Sequence, residues 1–357
     1  MSFFERYLTL FVFIAMFIGV LIGQYLSIIP DFLERLTIAQ ISLPIGVLIW
    51  FMIYPSMLKV DFKSVRTIGK NPQGLYLTWV VNWFIKPFSM FLIASLFFLV
   101  LYGNIIPAEI SVQYLAGAVI LGAAPCTAMV FVWSQLTKGN SAYTLVQVAT
   151  NNLILLVLFI PIVGFLLWLI PDVGATAVTI PWSTLFLSLG LFIVIPLLAA
   201  SFTRSQVIRY KGLDYLNTKV IPKFSKVTMI GLILTLVLIF SLQSDLIINN
   251  PLHIMLIAIP LVIQTFLVFT LTYLAAKKMK LNHEIAAPAG MIGASNFFEL
   301  AVAVAITISP VVALATVVGL LVEVPVMLAL VKIANATRNR FRQGTTSSVK
   351  AFGASDE

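Results

Sequence analysis

The stretch 117–135, GAVILGAAPCTAMVFVWSQ, decides how this chain is read. It is apolar and close to the roughly twenty residues needed to cross a bilayer as a helix. Pro125 stands in its middle and Cys126, the only cysteine of the chain, follows directly. Proline has no N–H to give to the carbonyl four residues back, and its ring disfavours the helical conformation at the residue before it, so a helix entering here is predicted to break at Ala124. Irregular backbone at membrane depth survives only where protein or a water-filled cavity covers it. A second apolar stretch, 286–305, AAPAGMIGASNFFELAVAVA, carries a matching interruption at Gly293-Ala294-Ser295-Asn296, with Glu299 just beyond it. Two interrupted helices in corresponding positions of two halves point to the binding site of a transporter.

Outward from this pair, composition sets the class. Of 357 residues, 61% are hydrophobic and only 10% charged, against about a quarter charged in soluble domains. Apolar runs of about twenty residues recur along the chain, the pattern of an all-α polytopic membrane protein. Ten spans are predicted, at 7–29, 36–57, 75–101, 112–135, 141–170, 182–201, 222–248, 252–276, 284–309 and 310–333. The first is too long for a signal peptide and has no small-residue cleavage site, so it is expected to be retained. With the N-terminus inside, twenty of the twenty-two Lys and Arg residues fall in inside loops or the C-terminal tail; Arg35 falls outside and Lys86 lies within span 3. The positive-inside rule then places both termini in the cytoplasm of a multi-pass cell-membrane protein. The net charge of +9 is thereby accounted for by loops flanking the bilayer, not by a nucleic-acid surface.

Ten spans divide as five plus five, and an odd number per half inverts the second half. Gly122 and Gly293, at the two breaks, are 171 residues apart, and spans 1 and 6 start 175 apart. The expectation is an inverted repeat of residues 1–170 and 182–333, with broken helices 4 and 9 crossing. Residues 334–357 are polar and expected to form a disordered cytoplasmic tail that touches lipid.

The residues able to do chemistry gather at the breaks. Cys126 lies about fourteen residues into span 4, so roughly 20 Å deep, and Glu299 lies at similar depth in span 9. An unremarkable reading makes Cys126 a small core residue. If a half-helix restarts at Pro125, however, Cys126 sits in its positive first turn. A carboxyl at mid-membrane costs about 2.5–3.5 kcal/mol on insertion scales and is functional by default. Lys86 has two candidate partners, Glu299 and Glu323, and Glu299 is expected to be the acid left over. Thr127 and Asn296 flank the breaks and are candidates to face a solute, whereas Asn152 and Gln264 read as interhelical polar contacts. One cysteine and two scattered histidines exclude a disulfide and a metal cage. No phosphate loop or catalytic triad appears, so neither cofactor nor enzyme is indicated.

Five stretches carry a resemblance: LPIGVLIWFMIYP (43–55), VNWFIKPFSM (81–90), LGAAPCTAMVFVWSQLTKGN (121–140), APAGMIGASNFFELAVAVA (287–305) and ATVVGLLVEVPVML (315–328). With these the chain resembles the arsenite permease family of the bile acid, arsenite and riboflavin transporter superfamily. The resemblance implies a core bundle of spans 3, 4, 5, 8, 9 and 10 beside a panel of spans 1, 2, 6 and 7. It also implies arsenite export, in many members against protons, with Cys126 and Glu299 as the functional pair. The chain departs from it at Asn151-Asn152, where Asn-Asp is expected, which concentrates proton coupling on Glu299. Trivalent arsenic is thiophilic, and a single thiol suits carriage better than a tight three-thiolate cage. A sodium-coupled symporter of an organic anion, drawing on Glu299, Gln264 and Asn152 for the ion, leaves Cys126 without a task. An intramembrane thiol enzyme lacks a histidine base. Arsenite, protons and the lipid bilayer are the expected partners, with no nucleic acid and no obligatory protein partner.

Overall fold

A computed structural model describes residues 8–26, 28–38, 41–58, 72–126, 129–171, 182–249 and 251–341. The architecture is all-α apart from a two-stranded ribbon, β1 (Thr37–Ile38) against β2 (Ile41–Ser42). In chain order the helices are α1 (Leu8–Tyr25), α2 (Ile28–Arg35), α3 (Leu43–Leu58), α4 (Gln73–Leu101), α5 (Ala108–Gly122), α6 (Val130–Leu136) and α7 (Ser141–Trp168). They continue with α8 (182–215), α9 (Ile221–Leu242), α10 (Ser244–Asn249), α11 (Pro251–Lys278), α12 (His283–Ala294), α13 (Phe298–Ala305) and α14 (Pro310–Ala336). Four of them, α4, α7, α11 and α14, are long and apolar enough to cross a bilayer uninterrupted. The membrane protein read from composition is therefore found as continuous, shorter and interrupted apolar helices.

Local chemistry sets the ends. Asn140 accepts the N–H of Tyr143 at the start of α7, and Ser309 accepts that of Val312 at the start of α14, satisfying donors that a helix leaves free. Interior prolines at 55, 161, 260, 288 and 325 each remove one ladder bond. α4 widens into a π-helical turn at Val81–Ile85, immediately before Lys86. Such a turn inserts an extra residue and re-aims the side chains that follow.

The helices pack in two groups. α1 lies against α9, and α3 against α8 and α9. A Cβ added at Gly19 would stand 2.6 Å from the Val237 carbonyl oxygen, so the α1–α9 approach requires glycine there. In the second group α5 packs on α14 and α4, and α11 on α12 and α14. The groups meet where α1 touches α14 and where α8 touches α7 and α13. α14 ends beyond the last predicted span, and Phe341 folds back onto Tyr273 and His283 with ring centroids 4.6 and 5.9 Å apart. The basic loop 59–71 and the tail 342–357 lie outside the described residues.

Candidate functional site

The interruptions in the two organising stretches are breaks in helix. α5 stops at Gly122 and α6 begins at Val130; α12 stops at Ala294 and α13 begins at Phe298. The extended residues between them pair as an antiparallel bridge, Pro125 opposite Asn296. The Phe297 N–H donates to the Ala124 carbonyl at 3.0 Å and the Cys126 N–H donates to the Ser295 carbonyl at 3.3 Å. Main-chain groups released by Pro125 and by the Gly-Ala-Ser-Asn turn thus satisfy one another in a region where water cannot.

This bridge fixes four side chains around one small pocket. Cys126, Asn296, Glu299 and Glu323 line it together with Met129, Trp133 and Phe298, and Val12 of α1 closes it from the other helix group. The four polar side chains are 2–5% exposed. The cavity of about 20 Å³ is close to what one water requires. Glu299 stands in the first turn of α13, where the positive helix end favours an anion. The Ser295 side chain and the Met129 backbone lie beside the Cys126 thiol. Two further polar atoms of the lining have no hydrogen-bond partner among the described residues: Asn296 Oδ1, an acceptor, and Trp133 Nε1, a donor. Buried polar atoms are almost always paired, so these two leave hydrogen-bonding capacity in the pocket lining.

Lys86 lies behind the bridge, fully buried. Its ammonium was expected to pair with a carboxylate; it donates instead to two main-chain carbonyls, that of Ala124 at 3.4 Å and that of Ser295 at 2.5 Å. Glu323 acts on it electrostatically while accepting from Ser295 Oγ at 2.5 Å and from the Asn296 N–H at 3.2 Å. The two acids therefore differ in surroundings. Glu323 is hydrogen-bonded into the bridge, whereas Glu299 stands in the first turn of α13.

The remaining candidates separate from the pocket. Gln264 reaches the Lys86 carbonyl at 3.5 Å, and Asn152 reaches Met57 Sδ at 3.3 Å. The three groups considered for a sodium ion, Glu299, Gln264 and Asn152, thus have separate surroundings. Thr127 lies outside the described residues. Trp133 and Met129 were missed from the sequence. No helical spacing gave them away, because Cys126 lies in the extended break and Trp133 on α6, which begins at Val130.

Residues 46–250 match the Sodium Bile acid symporter family. The arsenical-resistance protein Acr3 of Alkaliphilus metalliredigens is 56% identical over 343 residues, covering 95% of this chain and 94% of the relative. A protein of the same name from Corynebacterium glutamicum is 33% identical over 336 residues, 92% of this chain and 88% of its own length. An uncharacterized transporter of Synechocystis sp. is 42% identical over 349 residues, 94% and 90% of the two chains. With two similar arsenical-resistance proteins aligned along nearly its whole length, and a thiol, a carboxyl and a bridged pair of helix breaks at its centre, this chain belongs to the arsenite permease family, membrane transporters and not enzymes.

Proposed function

We propose that the protein exports arsenite across the cell membrane in exchange for protons. Ten spans in an inverted repeat, with both termini cytoplasmic, would carry a core bundle that rocks against a panel containing α1, α3, α8 and α9. One observation carries the reading: the Cys126 thiol and the Glu299 carboxyl line the same pocket at the crossing, with Glu323 held into the bridge beside them and Val12 of α1 opposite, next to an unpartnered acceptor and an unpartnered donor. Neutral arsenic trihydroxide both donates and accepts hydrogen bonds, so Asn296 Oδ1 and Trp133 Nε1 suit two of its hydroxyls. The Cys126 thiol offers one exchangeable As–S bond. On loading, the thiol proton and one hydroxyl leave as water, and on release water restores both. The two helix breaks meet at the bridge, and a pocket of about 20 Å³ is smaller than the trihydroxide, so loading requires the two helix groups to part.

Glu299 is the proposed proton carrier, with protonation and arsenite occupancy mutually exclusive. Exchange of one neutral solute outward for one proton inward moves one charge, worth about 2.3 kcal/mol per 100 mV, which supports roughly a 50-fold outward gradient. The test is arsenite uptake into inverted vesicles under an imposed pH gradient. Wild type is expected to accumulate arsenite, Cys126→Ser to lose uptake, and Glu299→Gln to lose the response to the gradient. Equal gradient-independent uptake in all three, or uptake driven by sodium alone, overturns the proposal. Antimonite, with the same thiophilic trihydroxide chemistry, is expected to compete.

A further inference from the structure

We propose that the Lys86 ammonium is the resident cation of the helix crossing: it fills, in tethered form, a site for a monovalent cation that becomes available to a free ion when the amine is removed. The bridge presents two carbonyls, those of Ala124 and Ser295. Each accepts one main-chain N–H, that of Phe297 for Ala124 and that of Cys126 for Ser295. A carbonyl oxygen has a second lone pair that can take a further donor or a cation. Both second lone pairs point at one atom, Lys86 Nζ.

Those carbonyls come from segments far apart in sequence. Only the crossing brings them to one point, and the π-helical turn at Val81–Ile85 delivers the ammonium there. Charge balance comes from Glu323, which acts on the ammonium while its carboxylate is oriented by Ser295 Oγ and the Asn296 N–H. Two main-chain carbonyls and the charge of a nearby carboxylate are hard oxygen surroundings of the kind that replace the hydration shell of an alkali ion. Lysine inside a membrane protein pairs with carbonyls or acids for the same electrostatic reason. A tethered ammonium differs from a free ion in one respect: it cannot dissociate. Wild type therefore needs no free cation at the crossing, and its helix breaks stay joined whatever salt surrounds the membrane.

This inference stands on the geometry of the bridge and is independent of the transported solute, so its test reads stability instead of transport. Purified wild type, Lys86→Ala and Lys86→Gln are unfolded thermally in sodium, methylammonium or choline chloride at equal ionic strength. Wild type is expected to melt at one temperature in all three salts. Lys86→Ala is expected to melt lower in choline and to rise saturably by about 3 °C or more in sodium or methylammonium, whose ions are small enough to enter. Lys86→Gln, whose amide still donates to the carbonyls, is expected to fold in choline and to respond less. Melting of Lys86→Ala that is the same in all three salts overturns the proposal. So does failure of both variants to fold in sodium and in methylammonium alike, because a free cation should then have replaced the amine.

Discussion

Replacing Glu323 and Glu299 separately by glutamine should give opposite results, although both are buried carboxyls lining one pocket. Glutamine at 323 keeps an oxygen able to accept from Ser295 Oγ and from the Asn296 N–H, so what Glu323→Gln removes is mainly charge. The Lys86 ammonium is then left buried without its compensating acid. Breaking a buried ion pair in direct contact costs about 3–5 kcal/mol; Lys86 donates to carbonyls and feels Glu323 only through its charge, so the cost should lie at or below about 3 kcal/mol. For a loss of about 3 kcal/mol the melting temperature of the purified 357-residue protein should fall by about 4 °C. Glu299 has no such dependant, so Glu299→Gln should melt within about 2 °C of wild type while losing gradient-driven uptake. A double variant, Glu323→Gln with Lys86→Met, removes both charges and should recover most of the lost stability, because an uncompensated charge costs more than none. Differential scanning fluorimetry in detergent measures wild type, Glu299→Gln, Glu323→Gln, Lys86→Met and the double variant. Equal destabilisation by the two glutamines, or strict additivity in the double variant, would refute the assignment of structural and free acids.

Three further substitutions test the frame and the pocket. Gly117 packs α5 against α14 so closely that an added Cβ would lie 2.2 Å from the Val312 carbonyl oxygen and 2.8 Å from the Ala315 Cβ; Gly117→Ala should therefore destabilise by about 1–3 kcal/mol, seen as a lower melting temperature. Asn335 Nδ2 donates to the Leu136 carbonyl at 2.9 Å, satisfying the free C-terminal end of α6, so Asn335→Ala should cost about 1 kcal/mol and speed proteolysis near residue 136. Trp133→Phe keeps the apolar shape but removes the unpartnered indole donor; if that donor meets a hydroxyl of the solute, the KM for arsenite should rise about 2- to 10-fold at an unchanged melting temperature.

The breaks were legible because they are written in single residues whose constraint is local. Pro125 cannot continue a helix whatever surrounds it, and Gly293 with Ser295 and Asn296 weakens one wherever it lies. The bridge that joins them was not legible. It pairs residues about 170 apart, and no local preference encodes which extended residue faces which. Lys86 shows the same limit. Hydropathy marked it as a lone base inside a span, and charge counting offered it two acids. The structure adds that its principal partners are carbonyls, which every residue possesses and which sequence cannot single out. Its position follows from the π-helical turn before it and from the crossing, both tertiary outcomes. A side chain defined by its type, such as Cys126 or Glu299, can be found by reading the chain. One whose role depends on main-chain oxygens exposed by a distant break is found only once the chain has folded, and this is why the carbonyl partners of Lys86 were out of reach of the sequence.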